Sequence, residues 1–127
     1  MMYMKKQPWT DLPMQVESLV VPNNISLTRG HDHGWDYEEY ECDPALHQWL
    51  DKNIASAEWR VNRSTRAESE VIHVESLPRH GMKMAYFTRI NGEIMATWVQ
   101  EGRVVHQERV EPRTWYVMRM DVEHVAL

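Results

Sequence analysis

His31, Asp32 and His33, followed by Glu38, are the residues whose types and spacing are best suited to chemistry. Alternate residues of an extended chain project to one side, so two imidazoles at i and i+2 with a nearby carboxylate make a donor set for one divalent transition metal such as iron, manganese, nickel or zinc. These residues belong to GHDHGWDYEEYECD, residues 30–43, which holds six carboxylates and three aromatics. The same stretch also reads as an acidic docking surface or as a solvated loop. Docking would use Trp35, Asp36, Tyr37, Glu38, Glu39, Tyr40 and Glu41, with carboxylates steering a basic partner and aromatics adding affinity once water is excluded.

The order H-x-H-x4-E over residues 31–38 resembles the first metal-binding motif of the cupins, and that resemblance implies a metal held by His31, His33 and Glu38. The flanking glycines of that motif are replaced here by Ile25 and Ala45. No clean second motif surrounds Leu77-Pro78-Arg79-His80-Gly81, and Asp43-Pro44 starts a helix where a cupin continues as a strand. The chain is therefore not assigned to that family, and His47 stays a nearby imidazole for a metal site of another kind.

Catalytic signatures are missing. The sequence has no G-x-S-x-G elbow, Gly-rich phosphate loop, H-E-x-x-H or CxxC, and the single Cys42 lies among acids that raise its pKa and blunt it as a nucleophile. We expect a non-enzymatic protein without a cofactor, a metal-dependent enzyme or sensor on His31, His33 and Glu38 being the alternative. A lone cysteine forms no disulfide within the chain, and no basic start leads into a long apolar run. A cytoplasmic protein with no membrane partner is expected.

Charge is unevenly divided. Residues 1–58 carry four Lys/Arg against ten Asp/Glu, a net of −6, while residues 59–127 carry ten against nine, a net of +1. One end of the molecule should attract basic partners.

The elements that position these residues are read from pattern. A single α+β domain over residues 1–127 is expected, with 1–29 an extended arm or edge strand broken by Pro8, Pro13 and Pro22, and 30–43 a loop hinged at Gly30 and Gly34. Asp43 suits a helix N-cap and Pro44 the first helical position, and Leu46, Trp49, Leu50, Ile54 and Ala57 follow at helical spacing. One amphipathic helix is thus predicted over 44–57. Residues 58–124 read as an antiparallel meander of five to six strands, with turns at Asn91-Gly92 and Glu101-Gly102.

Two-residue turns fix register, so alternation sorts three strands into two faces. Met82, Met84, Tyr86, Thr88, Ile90, Met95, Thr97, Val99, Val104 and His106 form the expected core face under the helix. The second face gathers Phe87, Ile94, Trp98 and Val105 among basic side chains that include Arg89 and Arg109. Either the arm, through Trp9, Leu12, Leu19 and Val21, covers that face, or Phe87, Arg89, Trp98 and Arg109 anchor a partner. Single-stranded nucleic acid is disfavoured by the acidic net charge. A homo-oligomer in which acids of one copy meet arginines of the next is a further alternative. The reading that combines these features is a small binding protein, an inhibitor or assembly factor, that docks residues 32–43 on a basic protein surface.

Overall fold

The computed structural model describes residues 3–19, 28–32, 34–77, 82–122 and 124–126. In chain order they form β1 (Met4–Lys6), a 3-10 turn (Val16–Leu19), β2 (Thr28–Asp32), β3 (Trp35–Glu41), α1 (Pro44–Asn53), β4 (Glu58–Arg66), β5 (Ser69–Leu77), β6 (Met82–Ile90), β7 (Met95–Gln100), β8 (Arg103–Arg109), β9 (Trp115–Arg119) and β10 (His124–Ala126). A seven-stranded sheet has the order β1-β9-β6-β5-β4-β3-β2, and a three-stranded sheet has the order β10-β7-β8. Neighbouring strands are antiparallel throughout. An antiparallel α+β architecture with one helix is what the pattern implied, but the strands number ten among the described residues, not five or six.

Capping chemistry starts the helix. The Asp43 carboxylate accepts the Ala45 N–H at 2.9 Å, and Pro44 occupies the first turn, where a missing N–H costs nothing. The helix stops at Asn53, a turn before the expected Ala57, because both Ile54 and Ala55 donate to the Leu50 carbonyl and close it. Asp51 then ties down the exit by accepting from Ala57 N–H and from the Trp59 indole.

Each face of the large sheet has its own apolar layer. On one face Leu46 and Leu50 of α1 are fully buried against Tyr40, Trp59, Val61, Val74, Met84 and Trp115. The arm adds Trp9, Leu12 and Leu19 to this layer, with Trp9 edge-on to both Trp49 and Trp115. On the opposite face Val71, Ala85, Phe87, Tyr116 and Met118 pack against Ile94, just ahead of β7, and against Ala96 and Trp98 of the small sheet. Burying an aromatic such as Phe87 or Trp98 stabilises the fold by roughly 2–3 kcal/mol relative to leaving it in water. Val21, which the sequence placed in the covering arm, lies outside the described residues.

Three expectations are corrected by this arrangement. Residues 30–43 are mostly strand, because β3 exchanges backbone hydrogen bonds with β2 on one side and β4 on the other while Trp35 and Tyr40 are buried from opposite faces. The Asn91-Gly92 turn does not close a hairpin. Gly92 has a φ of 92° but Asn91 is not among the positive-φ residues, and the Asn91 N–H goes to the Glu68 carbonyl, so the chain leaves the large sheet and enters the small one. Phe87 and Trp98 therefore belong to different sheets that face each other, and of the arm it is Tyr3 and Met4 that join this layer, whereas Trp9, Leu12 and Leu19 pack on the opposite face.

The Glu101-Gly102 turn behaves as expected, with φ of 53° and 74° and Gln100 opposite Arg103. One residue further the register slips, since Val99 pairs with Val104 but Trp98 pairs with His106, leaving Val105 as a bulge. The bulge explains why Val104 and Val105 are both exposed, at 61% and 41%, and why His106 turns inward onto Tyr3. Val104 thus drops out of the expected core face. Among the described residues no helix is long and apolar enough to cross a membrane.

Candidate functional site

The acidic residues lie on the β2–β3 hairpin at one end of the large sheet, where β2 is outermost among the described strands. Pairing runs from Thr28 opposite Glu39 to Asp32 opposite Trp35, and β3 then pairs with β4 from Asp36 opposite Thr65 to Glu41 opposite Arg60. Alternation along β3 divides the hairpin between the two faces. Asp36 and Glu38 share the helix-side face with Tyr40, whereas Tyr37, Glu39 and Glu41 share the other with Trp35.

Of the aromatics expected to meet a partner, two are structural. Trp35 is buried beneath the Arg66 guanidinium, which stands 4.4 Å from the ring centroid, and Tyr40 is buried with its hydroxyl donated to Glu38. Tyr37 is half-buried and its ring lies along the β2 backbone at Gly30. A Cβ at Gly30 would stand 2.4 Å from the Tyr37 hydroxyl oxygen, so this glycine is the space the tyrosine occupies.

The carboxylates differ in how far they are committed. Asp36 keeps 78% of its side chain exposed and accepts the His31 Nδ1–H at 2.9 Å. Glu38 holds the Tyr40 hydroxyl, Glu39 approaches Arg60 at 3.8 Å, and Glu41 is exposed. Gly30, Asp36, Tyr37, Glu38, Arg63 and Thr65 line a cleft of about 210 Å³ beside the hairpin. That volume holds about seven waters or one small polar group.

Beneath the cleft is a network that sequence reasoning missed. Arg63 donates to Glu70 through Nε at 3.1 Å and Nη2 at 2.9 Å, and Thr88 donates to the other carboxylate oxygen at 2.7 Å. Burial pushes the Glu70 carboxyl up, but the hydrogen bonds from Thr88 and Arg63 and the charges of Arg63 and Arg89 outweigh it and hold the group below the usual carboxylate range. The tight connection from Arg66 to Ser69 was the available signal, since it makes Arg63 and Glu70 diagonal neighbours on one face.

The remaining candidates are dispersed. His33 lies outside the described residues, His31 is engaged with Asp36, and Glu38 with Tyr40. His47 sits on α1 and donates to the Ala57 carbonyl at 3.0 Å. No group of three or more His, Cys, Asp or Glu with metal-binding geometry occurs among the described residues. Phe87 and Trp98 are core, the Trp98 indole donating to the Arg119 carbonyl. Arg89 is exposed and spends its guanidinium on the Ala67 and Arg66 carbonyls, and Arg109 is exposed on β8. Cys42 is half-buried, and burial, then the Asp43 charge, pushes its thiol up to about 12. Comparison with family models, with curated proteins and with solved structures found no match to this chain.

Proposed function

We propose that the protein is a small non-enzymatic binding protein, an inhibitor or assembly factor, that docks the β2–β3 hairpin on a basic protein surface. The observation that carries this reading is the exposure of Asp36 and Glu41 on a strand held by hydrogen bonds at the end of the large sheet. Charges fixed on a strand are already ordered before contact, so less conformational entropy is lost on docking than from a loop. The net charge of −6 over residues 1–58 supplies the long-range attraction.

Only part of the stretch makes the contact in this reading. Asp36 and Glu38 meet the partner on the helix-side face, Glu41 adds steering charge from the other face, and Trp35 and Tyr40 hold the strand in place. Association with an immobilised arginine- and lysine-rich peptide tests it. The double variant Asp36→Lys/Glu41→Lys should associate about tenfold more slowly at low salt and show a flatter salt dependence. Equal rates for the variant and the parent would remove the hairpin as the docking element.

A further inference from the structure

We infer that the cleft beside the hairpin receives a single arginine side chain of the basic partner, its guanidinium seated between Asp36 and Glu38. The inference rests on the docking reading and specifies the group that anchors it. The cleft is lined by the carboxylates of Asp36 and Glu38 and by Arg63 and Thr65, with Gly30 and Tyr37 at its edge. Its own cation is already committed. Arg63 gives two hydrogen bonds to one oxygen of Glu70, with Thr88 holding the other, so Arg63 is turned toward β5 and leaves Asp36 and Glu38 without a neutralising bond from it.

Both carboxylates project from the same side of β3, two residues apart, and retain acceptor capacity. Asp36 accepts one hydrogen bond from His31 and Glu38 one from Tyr40, while each carboxylate has about four lone-pair sites. A guanidinium presents five donors in a planar fork and can span two carboxylates, which a compact ammonium cannot do as well. The volume of about 210 Å³ admits one such group with part of its stem and excludes a folded segment. Contact by one long side chain is thus what the cleft fits.

The test compares two ten-residue peptides of equal charge, one with arginine and one with lysine as the basic residue, binding to the full chain at low salt. The arginine peptide should bind about tenfold more tightly, a difference that Asp36→Asn reduces to near parity because one arm of the clamp is gone. Thr65→Met, which fills the cleft without changing charge, should also erase the arginine preference while leaving salt-dependent binding of both peptides. Equal affinity of the two peptides for the parent overturns the arginine clamp and leaves the docking reading intact. Failure of both peptides to bind overturns the docking reading and the clamp with it. An arginine preference that survives in both Asp36→Asn and Thr65→Met places recognition elsewhere and overturns the clamp. Far-UV circular dichroism of Thr65→Met checks its fold, and Asp36→Asn, an isosteric change at an exposed side chain, tests the clamp independently.

Discussion

Arg63 on β4 reaches diagonally to β5 and holds one oxygen of Glu70 with both Nε and Nη2, at 3.1 and 2.9 Å. The pair is only partly buried, with 41% and 23% of the two side chains exposed, so solvent screening reduces its worth. Glu70→Gln should lower stability by about 1 kcal/mol at neutral pH. Because the folded-state pKa of Glu70 is depressed below its ordinary 4.5, its contribution is full above that value and is lost as pH falls through the folded value. Urea denaturation of parent and variant should therefore differ at pH 7 and converge in acid.

Gly30→Ala places a methyl group against the Tyr37 ring. The nearest atoms are the far end of a side chain, at 2.4 to 2.7 Å, so the ring must swing away from β2. A loss of about 1–2 kcal/mol is expected. Adding Tyr37→Ala should make the second substitution cheaper than it is alone, and a double-mutant cycle on denaturation midpoints measures that coupling.

His124 stacks on Trp98, donates Nδ1–H to the Val122 carbonyl at 3.0 Å, and lies near Lys83. Burial, reinforced by the Lys83 charge, pushes its pKa down from 6.5 to about 4. Between those values the unfolded chain binds the proton that the folded chain refuses. Stability should thus be full above about pH 6.5 and fall on acidification toward pH 4, by about 2–3 kcal/mol from this group. His124→Gln should flatten that slope, measured as the denaturation midpoint across pH 4–7.

Cys42 should resist a thiol reagent at pH 8 in the native state, since a pKa of about 12 leaves almost no thiolate. Burial is the main cause and Asp43 the second, so Asp43→Ala should raise the labelling rate only slightly. The same substitution removes the bond to Ala45 N–H and should cost about 1 kcal/mol in stability. Labelling as fast as that of the urea-unfolded chain would contradict the burial.

The parts of the fold that could be read ahead of the structure were those fixed by local chemistry. Asp43-Pro44 marks the start of α1 because only capping and ring geometry are involved, and Glu101-Gly102 sets its register because both residues adopt left-handed backbone angles. The strand β3 was hidden because its buried aromatics, Trp35 and Tyr40, are five residues apart and serve opposite faces, so neither a period of two nor one of 3.6 emerges. Its carboxylates argue against a strand, and pairing on both sides overrides that preference. Within β6 the alternation was sound from Met84 to Phe87, which face opposite layers, but the extra residue at Thr88 turns Ile90 onto the Phe87 side, and the pattern was then carried through Asn91-Gly92 into a different sheet. Of the site, the acidic residues were visible as a run. The cleft and the Arg63–Glu70–Thr88 network were not, because they depend on which strands lie side by side.

The bulge at Val105 has a consequence for chain association. Two adjacent exposed valines on an outer strand of a sheet are a template onto which another chain can add, and successive additions grow a fibril. The extra residue breaks the regular spacing of outward N–H and C=O groups and twists the strand, so an incoming straight segment cannot match it along its length. Deleting Val105 would restore an even ladder and a flat rim, and the shortened protein should bind thioflavin T under conditions where the parent stays dispersed. The irregularity on β8 is thus expected to guard against edge-to-edge addition of chains.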